Sequence, residues 1–223
     1  MKSSQKIYTL HLEISGSTAM WTRPDSGDCP VSYPAPTYSA VKGIFEAILF
    51  NQAAEIVPLK VEICSPIVYH TYNTNYGGPL RKSSQINLHA SYQLLASVLI
   101  NPCYRLYASV YRNSKTIDRI SEKTKHWLKN TTSPEHAYQE MFYRRIKRGQ
   151  SHYIPCLGWK EFTPDYVGPF RSAIAVCTDI NLTIPSMLRE VFPNGLYSNV
   201  QSTYDQDIQI KSGVLEFPEV SCA

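Results

Sequence analysis

The amino-acid sequence predicts an α+β fold in which two amphipathic helices accompany an antiparallel sheet. Residues 6–14 alternate apolar and polar side chains, which is the period of a half-buried strand. After Thr37, apolar residues recur at steps of three and four up to position 49, as in a helix with one buried face. A second helix is indicated between Ser133 and Gly149, because Pro and Glu follow the serine and glycine favours a left-handed stop.

Further strands are predicted between and after these helices. Residues 59–63 alternate in polarity, and residues 92–110 predict a hairpin whose turn is Asn101-Pro102. A short strand is expected at residues 153–157. The order strand, helix, strand, hairpin, helix, strand is typical of a ferredoxin-like βαββαβ sheet with one additional strand.

The composition favours one principal domain with an appendage. Hydrophobic residues make up 43% of the 223 residues, enough to bury one core without disulfides or metals. Later elements are short, with a turn of helix expected at 185–192 and a strand at 214–217. We therefore predict a ferredoxin-like domain over residues 1–168 and a small C-terminal antiparallel β extension over residues 169–223.

Several functional classes lack their sequence signatures. The six cysteines form no Cys-x-x-Cys pair and have no histidine at ligand spacing, so no metal site is predicted and reduced thiols are expected. The chain contains no P-loop, no G-x-S-x-G and no dinucleotide motif, so no cofactor is expected. No apolar run suits a signal peptide or a membrane span. We expect a cytoplasmic protein.

The densest positive charge lies at the end of the second predicted helix. The formal net charge is only +4, so a local cluster would have to attract nucleic acid. This cluster consists of Arg144, Arg145, Lys147 and Arg148, with His152 shortly after it. Cations also favour the negative pole of a helix, so a solvated helix end and an RNA-binding site are both open readings. The 16 tyrosines favour RNA, because rings on an open sheet face stack on unpaired bases.

Among the six histidines, His136 is the best candidate for acid-base chemistry. It falls in the first turn of the second helix, where the helix dipole favours a neutral imidazole. An ordinary exposed histidine is the alternative interpretation. Any RNA cleavage is expected to be metal-free, with the 2′-hydroxyl attacking the adjacent phosphate, because no acidic cluster suits a metal nuclease. Residues 71–84 are read as a mobile basic loop that carries Arg81 and Lys82.

Two segments resemble the type I-C branch of the Cas-five family of CRISPR-associated RAMP proteins. Residues 33–46, YPAPTYSAVKGIFE, resemble the family's YPVPTYEALKGI segment. Residues 141–162, MFYRRIKRGQSHYIPCLGWKEF, resemble its MFxRRxxxGQ…PYLGxREF segment. Weaker similarity runs through residues 92–111 and reaches residues 212–218, so the likeness spans most of the chain.

The resemblance implies a ferredoxin-like RAMP domain with a C-terminal β extension, in a protein of antiviral defence. It places the protein at the foot of the Cascade surveillance complex, where it holds the 5′ handle of the CRISPR RNA (crRNA). The implied partners are that RNA and the backbone and large subunits of Cascade. Contact with target DNA would be only indirect. The residues expected to bind RNA are Tyr38, Lys42, Arg81, Lys82, Arg144, Arg145, Lys147, Arg148 and His152.

The same resemblance implies a metal-independent endoribonuclease that cleaves precursor crRNA with Tyr, Lys and His side chains. The family's tyrosine aligns with Leu49, and its Lys-His pair aligns with Ala137 and Tyr138. His136 and Tyr138 are therefore the candidate proton carriers. Two alternatives stay open: a cleavage-silent cap subunit served by a separate nuclease, and a stand-alone single-strand RNA-binding module unrelated to CRISPR.

Overall fold

The computed structural model of the chain describes residues 7–76, 83–87, 92–113, 121–192 and 201–218, and its strands form two antiparallel sheets. The larger sheet contains β1 (Tyr8–Ser15), β3 (Ala54–Ile63), β6 (Cys103–Arg112), β7 (Tyr166–Gly168), β8 (Leu182–Glu190), β9 (Thr203–Lys211) and β10 (Val214–Glu216). Their order across it is β7-β1-β6-β3-β10-β9-β8. The smaller sheet contains β2 (Thr18–Ala19), β4 (Tyr69–Tyr76) and β5 (Tyr92–Ile100), in the order β2-β5-β4. The helices are α1 (Tyr38–Ile48), α2 (Ser83–Asn87), α3 (Glu122–Asn130) and α4 (Pro134–Arg148).

The main core lies between the larger sheet and helices α1 and α4. Leu12 of β1 and Leu106 of β6 are opposite each other and completely buried, as the strand periodicity predicts. Phe45 of α1 and Phe142 of α4 are also completely buried, with ring centroids 5.6 Å apart. The helices therefore meet over the centre of the sheet through aromatic side chains.

The predicted limits of both helices are confirmed, although the Ser133 side chain forms no capping hydrogen bond. The Thr37 hydroxyl accepts the N–H of Ala40 at 3.3 Å, which satisfies a donor in the first turn of α1. Pro134 occupies the first turn of α4, where its missing N–H costs nothing. Gly149 ends α4 with φ of 62°, a conformation that glycine adopts without strain.

The predicted hairpin over residues 92–110 is wrong, because β5 and β6 lie in different sheets. Asn101 in the turn donates its N–H to the Ser17 carbonyl at 2.8 Å, and Pro102 accepts the N–H of Gly16 at 3.2 Å. The turn is thus anchored to the connection between β1 and β2. It sends β6 between β1 and β3 instead of back along β5.

Three other local predictions also need correction. Residues 153–157 form no strand, and β7 pairs with β1 instead. Residues 185–192, read as helical, belong largely to β8, because pairing with β9 overrides a local pattern that suits either structure. Residues 71–76, read as loop, lie in β4, and helix α3 had no counterpart among the predicted elements. Arg81 and Lys82 lie outside the described residues.

The chain after residue 168 extends the larger sheet. Leu215 of β10 pairs with Val61 of β3 on one side and with Ile210 of β9 on the other. Leu215 and Val61 are completely buried. Strands β8 to β10 therefore share the sheet of the preceding strands. Separately, no helix among the described residues is long and apolar enough to cross a membrane.

Candidate nucleic-acid interface

Three cations project from the end of α4. Arg144, Lys147 and Arg148 are exposed, and none of them forms an ion pair within the part of the chain that the structure describes. Gly149 ends the helix directly beyond them. Unpaired, solvent-facing cations can bind phosphate groups readily, because no ion pair within the protein has to break first.

Arg145 has a different role from its neighbours. Its Nη1 donates to the Ile48 carbonyl at 2.8 Å, and the backbone N–H of His152 donates to the Ala47 carbonyl at 2.8 Å. The hydroxyl of Tyr138 donates to the Leu49 carbonyl. These donors satisfy carbonyls at the end of α1, and the guanidinium also lies at the negative pole of that helix. Arg145 therefore joins the two helices.

Tyr138, one of the two candidate proton carriers, is a core residue. Only 1% of it is exposed, and burial raises the pKa of its hydroxyl well above the ordinary value, with Glu46 adding to the effect. The structure brings it to Leu49, the position aligned with the family's tyrosine. The positions aligned with the family's tyrosine and histidine, Leu49 and Tyr138, are therefore in contact. They lie in the core, where an RNA phosphate has no access to the hydroxyl.

His136, the other candidate, lies at the opposite end of α4 from the cations. Its side chain is 53% exposed, with Nε2 3.9 Å from Oε1 of Glu140. Its ring centroid is 5.5 Å from that of Tyr8. Twelve residues separate it from Arg148, which corresponds to about 18 Å along a helix. His136 is accessible, but it does not share one compact site with the cations.

A tyrosine-histidine pair beside β1 is absent from the sequence predictions. The Tyr143 hydroxyl lies 2.7 Å from Nδ1 of His11 and accepts the backbone N–H of His11 at 3.2 Å. The Phe170 ring lies 4.9 Å from the imidazole, and partial burial lowers the pKa of His11. The seven-residue spacing of His136 and Tyr143 could have shown that both lie on one face of α4, but nothing in the sequence identifies His11 as the partner of Tyr143.

The face of α4 that carries His136 and Tyr143 runs beside the part of β1 that does not pair with β7. Strand β7 pairs only with residues 13–15 of β1. Ahead of them, Nε2 of Gln139 donates to the Thr9 carbonyl at 2.7 Å. Side chains of α4 thus replace a missing strand and bring His136 and the pair of Tyr143 with His11 to one exposed edge.

Tyr38 and Lys42 lie on α1 and have structural surroundings. Tyr38 is 6% exposed, its ring lies 4.1 Å from the Arg189 guanidinium, and burial raises the pKa of its hydroxyl. Lys42 is half-buried. Burial raises the pKa of Glu46, and the charge of Lys42 opposes this rise. Tyr38 therefore packs in the protein, and Lys42 is only partly accessible to a ligand.

The face of the larger sheet that lies opposite the helices is covered by side chains of the protein itself. Tyrosine rings on this face were expected to stack on RNA bases. Glu13 is completely buried and pairs with Arg105 and Arg171, and Arg105 also donates to the Ile174 carbonyl at 2.6 Å. The Lys60 ammonium lies 4.3 Å from the centre of the Tyr107 ring. The expectation of an open tyrosine platform is wrong here, because the chain's own side chains occupy the face.

Exposed rings occur instead next to the cationic helix end. His152 stacks on Phe50 with ring centroids 6.0 Å apart and an interplanar angle of 21°. Both residues are exposed. Across the described ranges, no group of three or more His, Cys, Asp or Glu residues could hold a metal ion. The chemistry that the described surface offers is thus that of cations, imidazoles, phenols and stacked rings.

The chain matches known proteins over most of its length. The family model for CRISPR-associated protein Cas5, Cas5d type, matches residues 9–204. A protein of Mannheimia succiniciproducens named CRISPR pre-crRNA endoribonuclease Cas5d is 26% identical over 230 residues, which cover 94% of each chain. A Thermus thermophilus protein of the same name is 28% identical over 168 residues, covering 72% of this chain and 63% of the relative.

A solved structure described as a CRISPR-associated protein has a similar fold. Its TM-score is 0.69 at 18% sequence identity, and the match covers 97% of this chain and 96% of that one. The family model and the two relatives confirm, over most of the chain, the resemblance seen in two segments of the sequence. Since the family model spans all but the two ends, this protein belongs to the CRISPR-associated Cas5 family, in its type I-C form, Cas5d.

Proposed function

We propose that the protein is the subunit of a type I-C Cascade complex that binds the 5′ repeat-derived handle of the crRNA. The observation that carries the proposal is the exposed, unpaired cluster of Arg144, Lys147 and Arg148 at the end of α4. Such a cluster contacts backbone phosphates, which supply most of the affinity for RNA. The names of the relatives, which refer to pre-crRNA, support crRNA as the ligand.

The proposal extends to the setting and the fold. The partners are the crRNA and the backbone and large subunits of Cascade, contact with target DNA is only indirect, and the protein acts in the cytoplasm.

Residues 1–168 form a ferredoxin-like domain, supported by the order β7-β1-β6-β3 with α1 and α4 on one face. Strands β4 and β5 are then an insertion into it, and residues 169–223 are its C-terminal extension.

Cleavage of precursor crRNA is the second part of the proposal. The 2′-oxygen loses its proton to a base and attacks the adjacent phosphorus, while an acid protonates the departing 5′-oxygen. The products carry a 2′,3′-cyclic phosphate and a 5′-hydroxyl, and no metal takes part. His136 and the pair of His11 with Tyr143 are the proposed proton carriers, since all three side chains lie along the exposed edge where α4 borders β1. Tyr138 is not among them because of its burial.

A cleavage-silent cap is the second candidate function, and one observation favours it. At the positions aligned with the family's tyrosine and histidine, this chain has Leu49 and Tyr138, and both are buried. A separate nuclease would then supply the mature RNA.

Binding is tested with labelled repeat RNA in excess EDTA. The double variant Arg144→Glu, Arg148→Glu should abolish the gel shift seen with wild type. Its matched control is Lys160→Glu, Lys211→Glu, which makes the same change of charge at two exposed lysines elsewhere on the surface and should retain the shift. Equal loss of binding in both variants would contradict the assignment of the cluster.

The same mixture decides between the two functions. Cleaved product in EDTA supports the nuclease, whereas a persistent shift without product supports the cap. Equally tight binding of an unrelated single strand would support the stand-alone RNA-binding module and contradict recognition of the handle.

A further inference from the structure

An exposed row of aromatic rings follows the ends of α1 and α4. Phe50, two residues after α1, is 51% exposed and stacks on the imidazole of His152. Tyr153 is also 51% exposed, and its ring meets that imidazole edge-on, with centroids 5.6 Å apart. Three adjacent rings that stay half in water, when the core could bury them, mark a surface available to a ligand.

Backbone hydrogen bonds hold this row in place. The N–H of His152 donates to the carbonyls of Ala47 and Ile48, at 2.8 and 3.2 Å. The N–H of Tyr153 also donates to Ala47, at 3.1 Å. The rings therefore rest on the end of α1 as a preformed surface, which loses little conformational entropy when a ligand binds.

A groove with a cavity volume of about 360 Å³ opens beside Phe50. Asn51 and Gln52 line one wall, and Lys123 and Trp127 of the α3 region line the other. The Asn51 side-chain oxygen accepts the N–H of Ala53 at 2.9 Å, and that of Gln52 accepts the N–H of Ser121 at 3.1 Å. Within the described ranges, both amide nitrogens are left without a partner, so they can donate to acceptors on a base edge.

We propose that this surface binds one unpaired RNA base, stacked on Phe50 with its edge in the groove. Aromatic rings bind bases of any sequence through their faces, and a nearby cation attracts the phosphate that accompanies the base. Lys123 is exposed and supplies that charge. The polar, cationic lining favours a nucleotide over the apolar face of a protein partner. The inference rests on the proposed RNA-binding function, and it adds base stacking to phosphate binding at the end of α4.

Two short probes of equal charge separate stacking from phosphate binding. They are the tetraribonucleotide AAAA and an abasic tetramer with the same number of phosphates, and their binding to the full chain is measured by fluorescence anisotropy. The substitution Phe50→Ala should weaken AAAA about tenfold and leave the abasic tetramer unchanged. Phe50→Tyr, which keeps a ring, should bind AAAA like wild type, and unchanged binding of the abasic tetramer by Phe50→Ala shows that the alanine variant is folded.

Quenching of Trp127 fluorescence gives a second readout. AAAA should quench the emission and the abasic tetramer should not, and the Trp127→Phe variant should lose the signal. Equal affinity of wild type and Phe50→Ala for AAAA would overturn the stacking site, while a retained gel shift with repeat RNA would leave the proposed function standing. Conversely, ring-dependent binding of AAAA without any shift of repeat RNA would support the site and overturn the handle proposal.

Discussion

At the scale of single residues, Tyr138 and Leu49 show how a buried hydroxyl is used. The hydroxyl donates to the Leu49 carbonyl just beyond α1, where no N–H of that helix is available. We expect Tyr138→Phe to destabilise the protein by about 1–2 kcal/mol, because the ring remains but a buried carbonyl loses its donor. Denaturant unfolding measures this change. Wild-type RNA binding and cleavage are expected in the variant, and lost cleavage with intact stability would instead identify Tyr138 as a proton carrier.

His11 gives a dependence of stability on pH. Burial lowers its pKa below the ordinary 6.5, so the unfolded chain takes up this proton at a higher pH than the folded chain does. The contribution to stability is therefore complete above pH 6.5 and declines as the pH falls through the interval between the two values.

The variant His11→Gln tests this sign. It should flatten the fall in the free energy of unfolding just below pH 6.5, measured by urea unfolding at a series of pH values. Thr9→Gln, at an exposed position of the same strand, is the matched control, because it changes no titratable group and should leave the slope as it is. An identical slope in wild type and His11→Gln would contradict the lowered pKa.

At the scale of elements, the end of α4 combines two tasks in adjacent arginines. Arg145 donates to the Ile48 carbonyl at 2.8 Å, whereas Arg144 is exposed without a partner among the described residues. Arg145→Ala should cost about 1 kcal/mol of stability, because it removes a charged donor from the end of α1.

Arg144→Ala is the matched control for this prediction. Thermal unfolding should show little change for Arg144→Ala and a lower midpoint for Arg145→Ala, while binding of repeat RNA should weaken more with Arg144→Ala. The reverse order in both measurements would mean that the two side chains exchange roles in solution.

The helices could be predicted from the sequence because their signals are local. The Thr37 cap, the Pro after Ser133 and the left-handed Gly149 each act within one turn. The separation of β5 and β6 into different sheets could not be predicted in this way. Alternation tells which residues are buried but does not identify the partner strand, and here the Asn101 turn is fixed by distant residues.

The candidate site was only partly predictable for a related reason. The run of cations after residue 143 marked the end of α4, but position alone could not separate the exposed Arg144 from Arg145, which bonds to α1. The burial of Tyr138 did have a signal, since Tyr138, Phe142 and Ile146 recur every four residues and form the inner face of the helix.

At the scale of the whole molecule, ion pairs to one buried carboxylate join the segment after residue 168 to the sheet. Glu13 of β1 is completely buried and pairs with Arg105 of β6 and with Arg171. Arg105 also donates to the carbonyls of Arg171 and Ile174, at 3.1 and 2.6 Å. A buried carboxylate needs such partners, so this segment cannot leave the sheet face without exposing the acid and removing one of its two arginine partners.

The shared sheet predicts that residues 169–223 unfold together with the rest of the protein. Leu215 is completely buried and links β3 to β9. Leu215→Ala should destabilise the protein by about 3 kcal/mol, because a buried leucine leaves a cavity between paired strands. The exposed Leu59 of β3 is the control, since Leu59→Ala removes a side chain that is 38% exposed and should cost less.

All three tryptophans lie before residue 169, so their fluorescence reports the first part of the chain, while circular dichroism reports all of it. The two signals should follow one transition, shifted equally by Leu215→Ala. An early change in circular dichroism at constant fluorescence would show that the last strands unfold independently and would contradict the continuity of the sheet.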